Sequence, residues 1–357
     1  MVVGGDGNRV RAREDEGLSV GHLRREGRTV SLVWTVAATV GAGLVPLLLL
    51  VVLVVLCISA WPAVVWDGLH FLTRSVWSLG NLYGSATVVH HGYAAPEGAL
   101  YGALAFIAGT LISSFCALVL AVPVGVGVAV ALAEWGRGWV GQAVGFFVEL
   151  IAGVPSVVFG LWGLVVLVPW IQRRGGPALA HVLGFIPFFH GPVLTGEGLL
   201  VAAIVLSVMV LPLIAAVGRD ALLRVPQEVR DQGRALGLTD WEIQKDLVFP
   251  YAASGMVGGV VLALGRALGE TMAVVMVSGT ADVVPHSMYS PFTTMAAAIV
   301  VDLDSAFTDA THMAVHALAE LAVALMLISV LVNLAVPLVS RGVSRVAAQI
   351  GVRGDVP

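Results

Sequence analysis

The sequence predicts an all-α polytopic membrane protein with six transmembrane helices. Of its 357 residues, 58% are hydrophobic and 12% are charged, and the mean hydropathy is +0.94. This leaves too little charge to solvate a soluble protein of the same length. A helix crosses about 30 Å of hydrocarbon with roughly 20 apolar residues, and six stretches of the chain are long enough. The bilayer is therefore expected to be the main solvent of this chain.

The predicted spans are separated by polar or glycine-rich connections. They are Ser31–Ala60, Gly102–Ala133, Gly145–Trp170, Gly198–Val217, Gly255–Ser278 and Ala314–Val339. Residues 1–29 hold six arginines mixed with acidic residues and glycines, which predicts a disordered tail. Residues 30–340 form the predicted transmembrane domain, and residues 341–357 form a second tail.

The basic residues predict the orientation of the chain. Six spans put both termini on one side, and fifteen of the nineteen Lys and Arg residues lie on that side. Only Arg74, Arg173 and Arg174 lie on the other, and Arg266 falls inside the fifth span. Because cytoplasmic loops carry the excess of basic residues, we expect a multi-pass membrane protein with cytoplasmic termini.

The longest cytoplasmic loop, residues 218–250, is predicted to form two short helices joined at Gly237. Thr239 or Asp240 suits the N-cap of the second helix, and Pro250 is expected to help end it. One apolar face of that helix is predicted to consist of Trp241, Ile243, Leu247 and Val248. One interpretation is an amphipathic helix on the lipid surface, and the spacing of the loop favours a more specific role.

The fifth span carries two charged residues, Arg266 and Glu270, one helical turn apart with Thr271 adjacent. Ionisable side chains at this depth face protein or water rather than lipid. In one interpretation they hold the bundle together, either as a pair with each other or with Glu149 and Glu320. In the other, Arg266 lines a pathway and binds an oxyanion, since its guanidinium matches such oxygens, and Glu270 positions it.

The third span begins with a motif that combines Glu149, Gly153, Pro155, Ser156 and Gly160. Pro155 removes a helical hydrogen bond, and the two glycines permit close approach of another helix. The motif is consistent with a kinked packing helix or with part of a pathway.

No catalytic or metal-binding residue is predicted. The single lysine, Lys245, follows Gln244 rather than glycine, so the chain has no P-loop, and none of the predicted spans carries a GxSxG or HExxH motif that would suggest a hydrolase within the membrane. Two cysteines within apolar runs indicate neither a disulfide framework nor a metal site. Any ATP hydrolysis is expected on another chain.

Three segments resemble the membrane subunits of phosphate-specific ABC importers. ELIAGVPSVVFGLWG, starting at Glu149, is similar to their signature, and YGALAFIAGTLISSF and GRALGETMAV also match. The loop is similar to the coupling loop of ABC importers in its Gly237 to Pro250 spacing, although Asp231-Gln232-Gly233 departs from the usual Glu-Ala-Ala. The resemblance covers residues 31–340, and the third segment favours the C-type subunit.

This resemblance implies a type I ABC importer fold in the bacterial inner membrane and a permease that carries phosphate without catalysing a reaction. The implied partners are an A-type permease subunit, two copies of an ATPase subunit and an extracytoplasmic phosphate-binding protein, with no nucleic acid. This chain is expected to hold no cofactor, and ATP and Mg belong to the ATPase.

Two groups of site residues follow from the resemblance. The substrate pathway is assigned to Arg266, Glu270, Thr271, Glu149 and Ser156. The ATPase-coupling loop is assigned to Asp231, Gly233, Gly237, Trp241, Leu247 and Pro250. The alternatives are an ABC permease for sulfate or molybdate, a proton-coupled secondary transporter that uses Glu149, Glu270 and Glu320, and an assembly or sensing scaffold.

Overall fold

The computed structural model describes residues 7–84, 86–136 and 138–351, with side chains from 34 to 334 apart from positions 37, 85, 135, 137 and 140. Within this part of the chain, six helices have the length and composition to cross a membrane. They are Trp34–Asp67, Leu104–Glu134, Ser156–Leu183, Leu199–Leu223, Asp240–Leu268 and Met313–Leu334. The predicted number of spans is therefore confirmed.

Helices make up most of the described chain. The α-helices are α1 (Gly7–Asp67), α2 (His70–Thr73), α3 (Leu104–Trp135), α4 (Trp139–Gly153), α5 (Ser156–Trp162), α6 (Val168–Trp170), α7 (Gly176–Leu183), α8 (Leu199–Leu223), α9 (Gln227–Ala235), α10 (Asp240–Glu242), α11 (Phe249–Leu268), α12 (Met272–Val277), α13 (Met295–Ala306) and α14 (Met313–Gly351). The π-helical segments Gly163–Leu167, Ile171–Gly175 and Ile243–Val248 join helices within two of the spans, and Pro187–Phe189 is a 3₁₀ turn.

The chain divides into two compact units, residues 1–58 and 59–357. In the first unit, α1 begins at Gly7, so residues 7–29 are helical where the sequence predicts a disordered tail. Adding residues to an existing helix costs much less than nucleating one. The apolar part of α1 supplies that nucleus, and the upstream Arg, Glu and Leu residues are good helix formers.

Two predicted spans have the wrong boundaries. The third was expected at Gly145–Trp170, but a break after Gly153 separates α4 from the span Ser156–Leu183. The fifth was expected at Gly255–Ser278, but the helix already begins at Asp240 and stops at Leu268. The predicted loop 218–250 is correspondingly shorter, because α8 extends through Leu223 and the second loop helix continues into α11.

In the second unit, α8 lies at the centre of the bundle. Two thirds of the most apolar stretch of α8 is buried, a larger share than in any other described span. This burial agrees with the lack of a polar face on α8. Glycines let α3 pack closely against it. A Cβ atom added at Gly125 would lie 2.8 Å from Ile214, and one at Gly218 would lie 2.9 Å from Ala129. The outcome is a tight pair that positions the remaining helices.

A small cap of antiparallel strands follows α2. Strand β1 (Trp77–Ser78) pairs with β4 (Leu100–Tyr101), and β2 (Thr87–His90) pairs with β3 (Tyr93–Pro96). The Trp77 indole donates a 2.8 Å hydrogen bond to Asp302 on α13. Burial raises the pKa of the Asp302 carboxyl. The acidic segment between the last two spans is therefore folded against the cap.

Candidate functional site

The fifth span is interrupted between Leu268 and Met272. The backbone N–H of Glu270 still bonds to the Ala267 carbonyl at 3.3 Å, but a separate helix, α12, begins at Met272. The Glu270 carboxylate accepts a 3.5 Å hydrogen bond from the N–H of Ala273, in the first turn of α12. A carboxylate at this place satisfies a donor that has no partner within the helix. Glu270 thus caps α12.

A second interruption separates α4 from α5. Val154 and Pro155 both have extended backbones, with ψ of 129° and 144°. Proline disfavours the helical conformation for the residue before it, so Pro155 ends α4 instead of only kinking a continuous span. Ser156 is the first residue of α5 and is half-buried.

The helices that follow these two breaks pack on each other. A Cβ atom added at Gly160 of α5 would lie 2.8 Å from both the Ala273 Cα and the Met276 Sδ of α12. This confirms the predicted close approach at Gly160. At Gly153, no described residue of this chain makes such an approach. Ser156 therefore lies at the break before α5, and Glu270 lies at the break before α12. These two helices pack against each other.

Arg266 and Glu270 do not pair with each other, although such a pair is one of the two interpretations of the sequence. The helix ends between them, Arg266 is exposed, and Glu270 is half-buried. Within the described residues, neither side chain takes part in a salt bridge, and Arg266 makes no hydrogen bond. The neighbouring Thr271 hydroxyl donates to the Gly269 carbonyl at 3.3 Å. The guanidinium of Arg266 is consequently available to a ligand.

Glu149 lies apart from these breaks. It is exposed on α4 and lines a cavity of about 710 Å³ together with residues from α3, α8 and α9. The sequence did not predict this cavity. Arg230 of α9 donates a 2.6 Å hydrogen bond to Glu134 near the end of α3. Because 96 positions separate the two residues, no local pattern could reveal their pairing.

In the loop between the fourth and fifth spans, a regular C-cap ends α9. The N–H of Leu238 bonds to the Gly233 carbonyl at 3.1 Å, and the N–H of Gly237 bonds to the Arg234 carbonyl at 3.0 Å. These two bonds define a Schellman motif. Gly237 has φ of +78°, a conformation that glycine adopts without the strain a side chain adds. The predicted junction at Gly237 is confirmed.

The second loop helix starts with a capping box. The Thr239 hydroxyl accepts from the N–H of Glu242 at 3.3 Å, and Glu242 accepts from the N–H of Thr239 at 2.8 Å. This confirms Thr239 as the N-cap. Pro250 does not end the helix, contrary to the prediction. The π-helical segment Ile243–Val248 precedes it, and this wider turn accommodates the missing donor as the chain continues into α11.

The apolar residues of this helix are divided between two faces, which corrects the prediction of one. Ile243 and Val248 are buried in a cluster with residues of α3 and α8, and Leu247 is half-buried. Trp241 is 67% exposed, and Leu236, at the end of α9, is 79% exposed. The buried side fixes the loop to the spans, and the exposed side leaves two large apolar groups at its tip.

Gly233 and Asp231 play different parts in the loop. A Cβ atom at Gly233 would lie 2.8 Å from Ile243 and 2.9 Å from Leu247, so this glycine lets α9 lie directly on the π-helical segment. Asp231 is exposed and accepts a 3.1 Å hydrogen bond from Arg234 in its own helix. Asp231 therefore has a local role in the structure and remains accessible.

Comparison with known proteins agrees with this arrangement of spans and loop. The family model described as binding-protein-dependent transport system inner membrane component matches residues 121–345. The chain is 47% identical over 298 residues to phosphate transport system permease protein PstC 1 of Mycobacterium bovis and of Mycobacterium tuberculosis, covering 82% of this chain and 88% of each relative. Phosphate transport system permease protein PstC of Pasteurella multocida is 38% identical, covering 80% of this chain and 84% of the relative.

The family match includes both breaks and the whole loop, and the relatives extend over four fifths of the chain. A shared fold and a shared place in a transport system are expected at such identity. The chain belongs to the binding-protein-dependent transport system inner membrane component family.

Proposed function

We propose that this chain is the C-type permease subunit of an ATP-driven importer of inorganic phosphate. The observation that carries the proposal is the 47% identity over 82% of the chain to proteins named as phosphate transport permeases. The proposed partners are an A-type permease subunit, two ATPase subunits and an extracytoplasmic phosphate-binding protein. Both termini and the loop carrying Trp241 face the cytoplasm, in line with the distribution of basic residues.

In this proposal Arg266 contacts phosphate on its way through the membrane. Its support is the exposed guanidinium beside the break in the fifth span, with no partner among the described residues. A guanidinium keeps its charge at every relevant pH and offers two parallel donors to an oxyanion. Glu270, Thr271 and Ser156 would line the same pathway near the breaks. Glu149, which lines the separate cavity, would act closer to the exit.

The loop is proposed to transmit the ATPase cycle. The exposed Leu236 and Trp241 side chains would dock on the ATPase subunit, and the buried Ile243 and Val248 would carry its movement to α3 and α8. Asp231, Gly233, Gly237, Leu247 and Pro250 would shape that segment. ATP and Mg would bind on the ATPase, and this chain would bind neither and catalyse no reaction.

The first experiment is uptake of labelled phosphate in cells that lack their own importers and express this chain with its partners. Wild type should accumulate phosphate only when the ATPase subunit is active. Excess sulfate should not prevent this uptake. Arg266→Ala should lower uptake at least about tenfold, because one charge-assisted hydrogen bond contributes roughly 1.5–3 kcal/mol. Arg266→Lys, which keeps the charge and loses the planar fork, should fall between them.

Arg174→Ala is the matched control, since Arg174 is also exposed but lies in the π-helical segment of the third span. If both alanine variants retain wild-type uptake, Arg266 has no pathway role. If excess sulfate or molybdate abolishes phosphate uptake, the substrate is a different oxyanion. Uptake that follows the proton gradient without the ATPase subunit would instead support a secondary transporter.

A further inference from the structure

The cavity beside α4 has strongly polar walls. It measures about 710 Å³ and lies between the ends of α3 and α8, with α4 and α9 as its other sides. The charged and amide side chains that line it and bear on its chemistry are Glu134, Gln142, Glu149, Arg219, Arg230 and Arg234. Three guanidinium groups and two carboxylates give these six side chains a formal charge of +1. The cavity is large enough for an anionic group with its hydration.

The three arginines are engaged to different degrees. Arg230 is half-buried and fixed by Glu134 at 2.6 Å, with a second, longer contact of 3.5 Å to the Leu222 carbonyl. Arg234 pairs with Asp231. Arg219 makes neither a hydrogen bond nor an ion pair with any residue that the structure describes. The wall thus holds one anchored guanidinium and one that is available to a ligand.

The position of Arg219 indicates the source of that ligand. It lies four residues before the end of the span Leu199–Leu223, and we expect residues at the end of a membrane-spanning helix to lie near the lipid phosphate groups. Arginine side chains near helix ends extend to this level. The orientation proposed above places the cavity at the cytoplasmic leaflet, which carries anionic lipids, and basic pockets between spans bind their headgroups.

We propose that this cavity binds a phosphate group, which is carried by an anionic phospholipid or is free inorganic phosphate. Arg219 provides the available charge, Arg230 forms a fixed side of the site, and the Gln142 amide is a further donor. Glu149 lies on the α4 wall and restricts the space open to a second negative charge. The site is separate from Arg266 but shares Glu149 with the proposed exit of the pathway, and the inference rests on the orientation given in the proposed function.

The test compares Arg219→Gln with Arg224→Gln, an exposed arginine at the C-cap of α8 that does not line the cavity. Thermal unfolding midpoints of the full chain in detergent are measured with added phosphatidylglycerol, phosphatidylcholine or inorganic phosphate. Phosphatidylglycerol should stabilise wild type and Arg224→Gln equally. Arg219→Gln should need about five times more of it for the same shift, since each basic residue near the surface contributes about 1 kcal/mol.

The probes distinguish the two sources. Stabilisation by phosphatidylglycerol alone identifies a lipid headgroup, whereas an Arg219-dependent effect of inorganic phosphate identifies the free anion. The proposal is overturned if neither probe stabilises wild type, or if both glutamine variants respond alike. Should Arg219→Gln unfold without any ligand, Gln142→Ala replaces it and is expected to weaken the same response.

Discussion

The two ends of α11 are built in different ways. At its beginning, the two turns of the loop from Gln227 to Val248 are formed by hydrogen bonds between residues at most five positions apart, in a Schellman motif and a capping box. The Arg230–Glu134 ion pair then holds the loop against α3. At its end, the break from Gly269 to Thr271 has few local bonds and depends on α5, whose Gly160 lies against α12. The first structure is determined locally and the second by tertiary packing.

This difference has a consequence for function. The turns of the loop form locally and leave Trp241 and Leu236 exposed for a partner. The break leaves Arg266 without a partner in the described part of the chain, and the helix that follows the break, α12, packs closely on α5 at Gly160. Substitutions in the packing between α5 and α12 should therefore affect stability most, and substitutions at the tip of the loop least.

The largest effect is expected for Gly160→Val. Its Cβ atom would lie 2.8 Å from a backbone atom of Ala273, which cannot move without shifting α12. Overpacking of this kind costs about 1–3 kcal/mol, so the thermal unfolding midpoint of the purified chain should fall. Gly258→Val is the control, since Gly258 lies within α11 with open space around it. Equal losses in the two variants would refute the tertiary origin of the break.

Gly237→Ala should have the next largest effect. Its φ of +78° is left-handed, and a side chain in this region costs about 1–2 kcal/mol although no neighbouring atom is in the way. Gly237→Asn should recover part of the loss, because asparagine tolerates this conformation. Unfolding midpoints of both variants would check the order. A more stable alanine variant would contradict the assigned turn.

The sequence predicts what depends on composition and on neighbours in the chain. The six spans, the junction at Gly237 and the Thr239 cap are confirmed, and the family match confirms the fold class. Each follows from apolar length or from a short pattern. These same rules placed the start of the fifth span wrongly, because a π-helical turn carries the helix past Pro250.

The rest depends on contacts between distant segments. A break after Leu268 is not apparent from GRALGETMAV, since every residue in that run tolerates a helix or its end. Arg230 and Glu134, which form an ion pair between two helices, are 96 positions apart in the sequence. The pathway around Arg266 and Glu270 was predicted as one face of a helix, and the structure instead places a helix end between the two residues.

Gly233→Ala should have a smaller effect. The added Cβ atom would meet Ile243 and Leu247 at 2.8 and 2.9 Å, but these are side-chain atoms that can shift. Alanine also gains up to about 1 kcal/mol of helix propensity, so we expect a net loss of about 1 kcal/mol in the unfolding free energy. Adding Leu247→Ala should relieve the crowding. If the double variant loses as much unfolding free energy as Gly233→Ala and Leu247→Ala lose in sum, α9 does not pack on this segment.

Trp241→Ala should change stability least and coupling most. The side chain is 67% exposed, and surface substitutions usually stay within about 0.5 kcal/mol, so the unfolding midpoint of the chain should remain near that of wild type. In the assembled transporter, the ATPase rate should no longer respond to the loaded binding protein. Trp170→Ala, at an exposed tryptophan of the third span, should leave that response intact. If Trp241→Ala destabilises the isolated chain as strongly as Gly160→Val, the tip is part of the folded core and the contrast between the two ends of α11 fails. If stability and ATPase response both stay unchanged, the contact with the ATPase must lie elsewhere on the loop, with Leu236 as the next residue to replace.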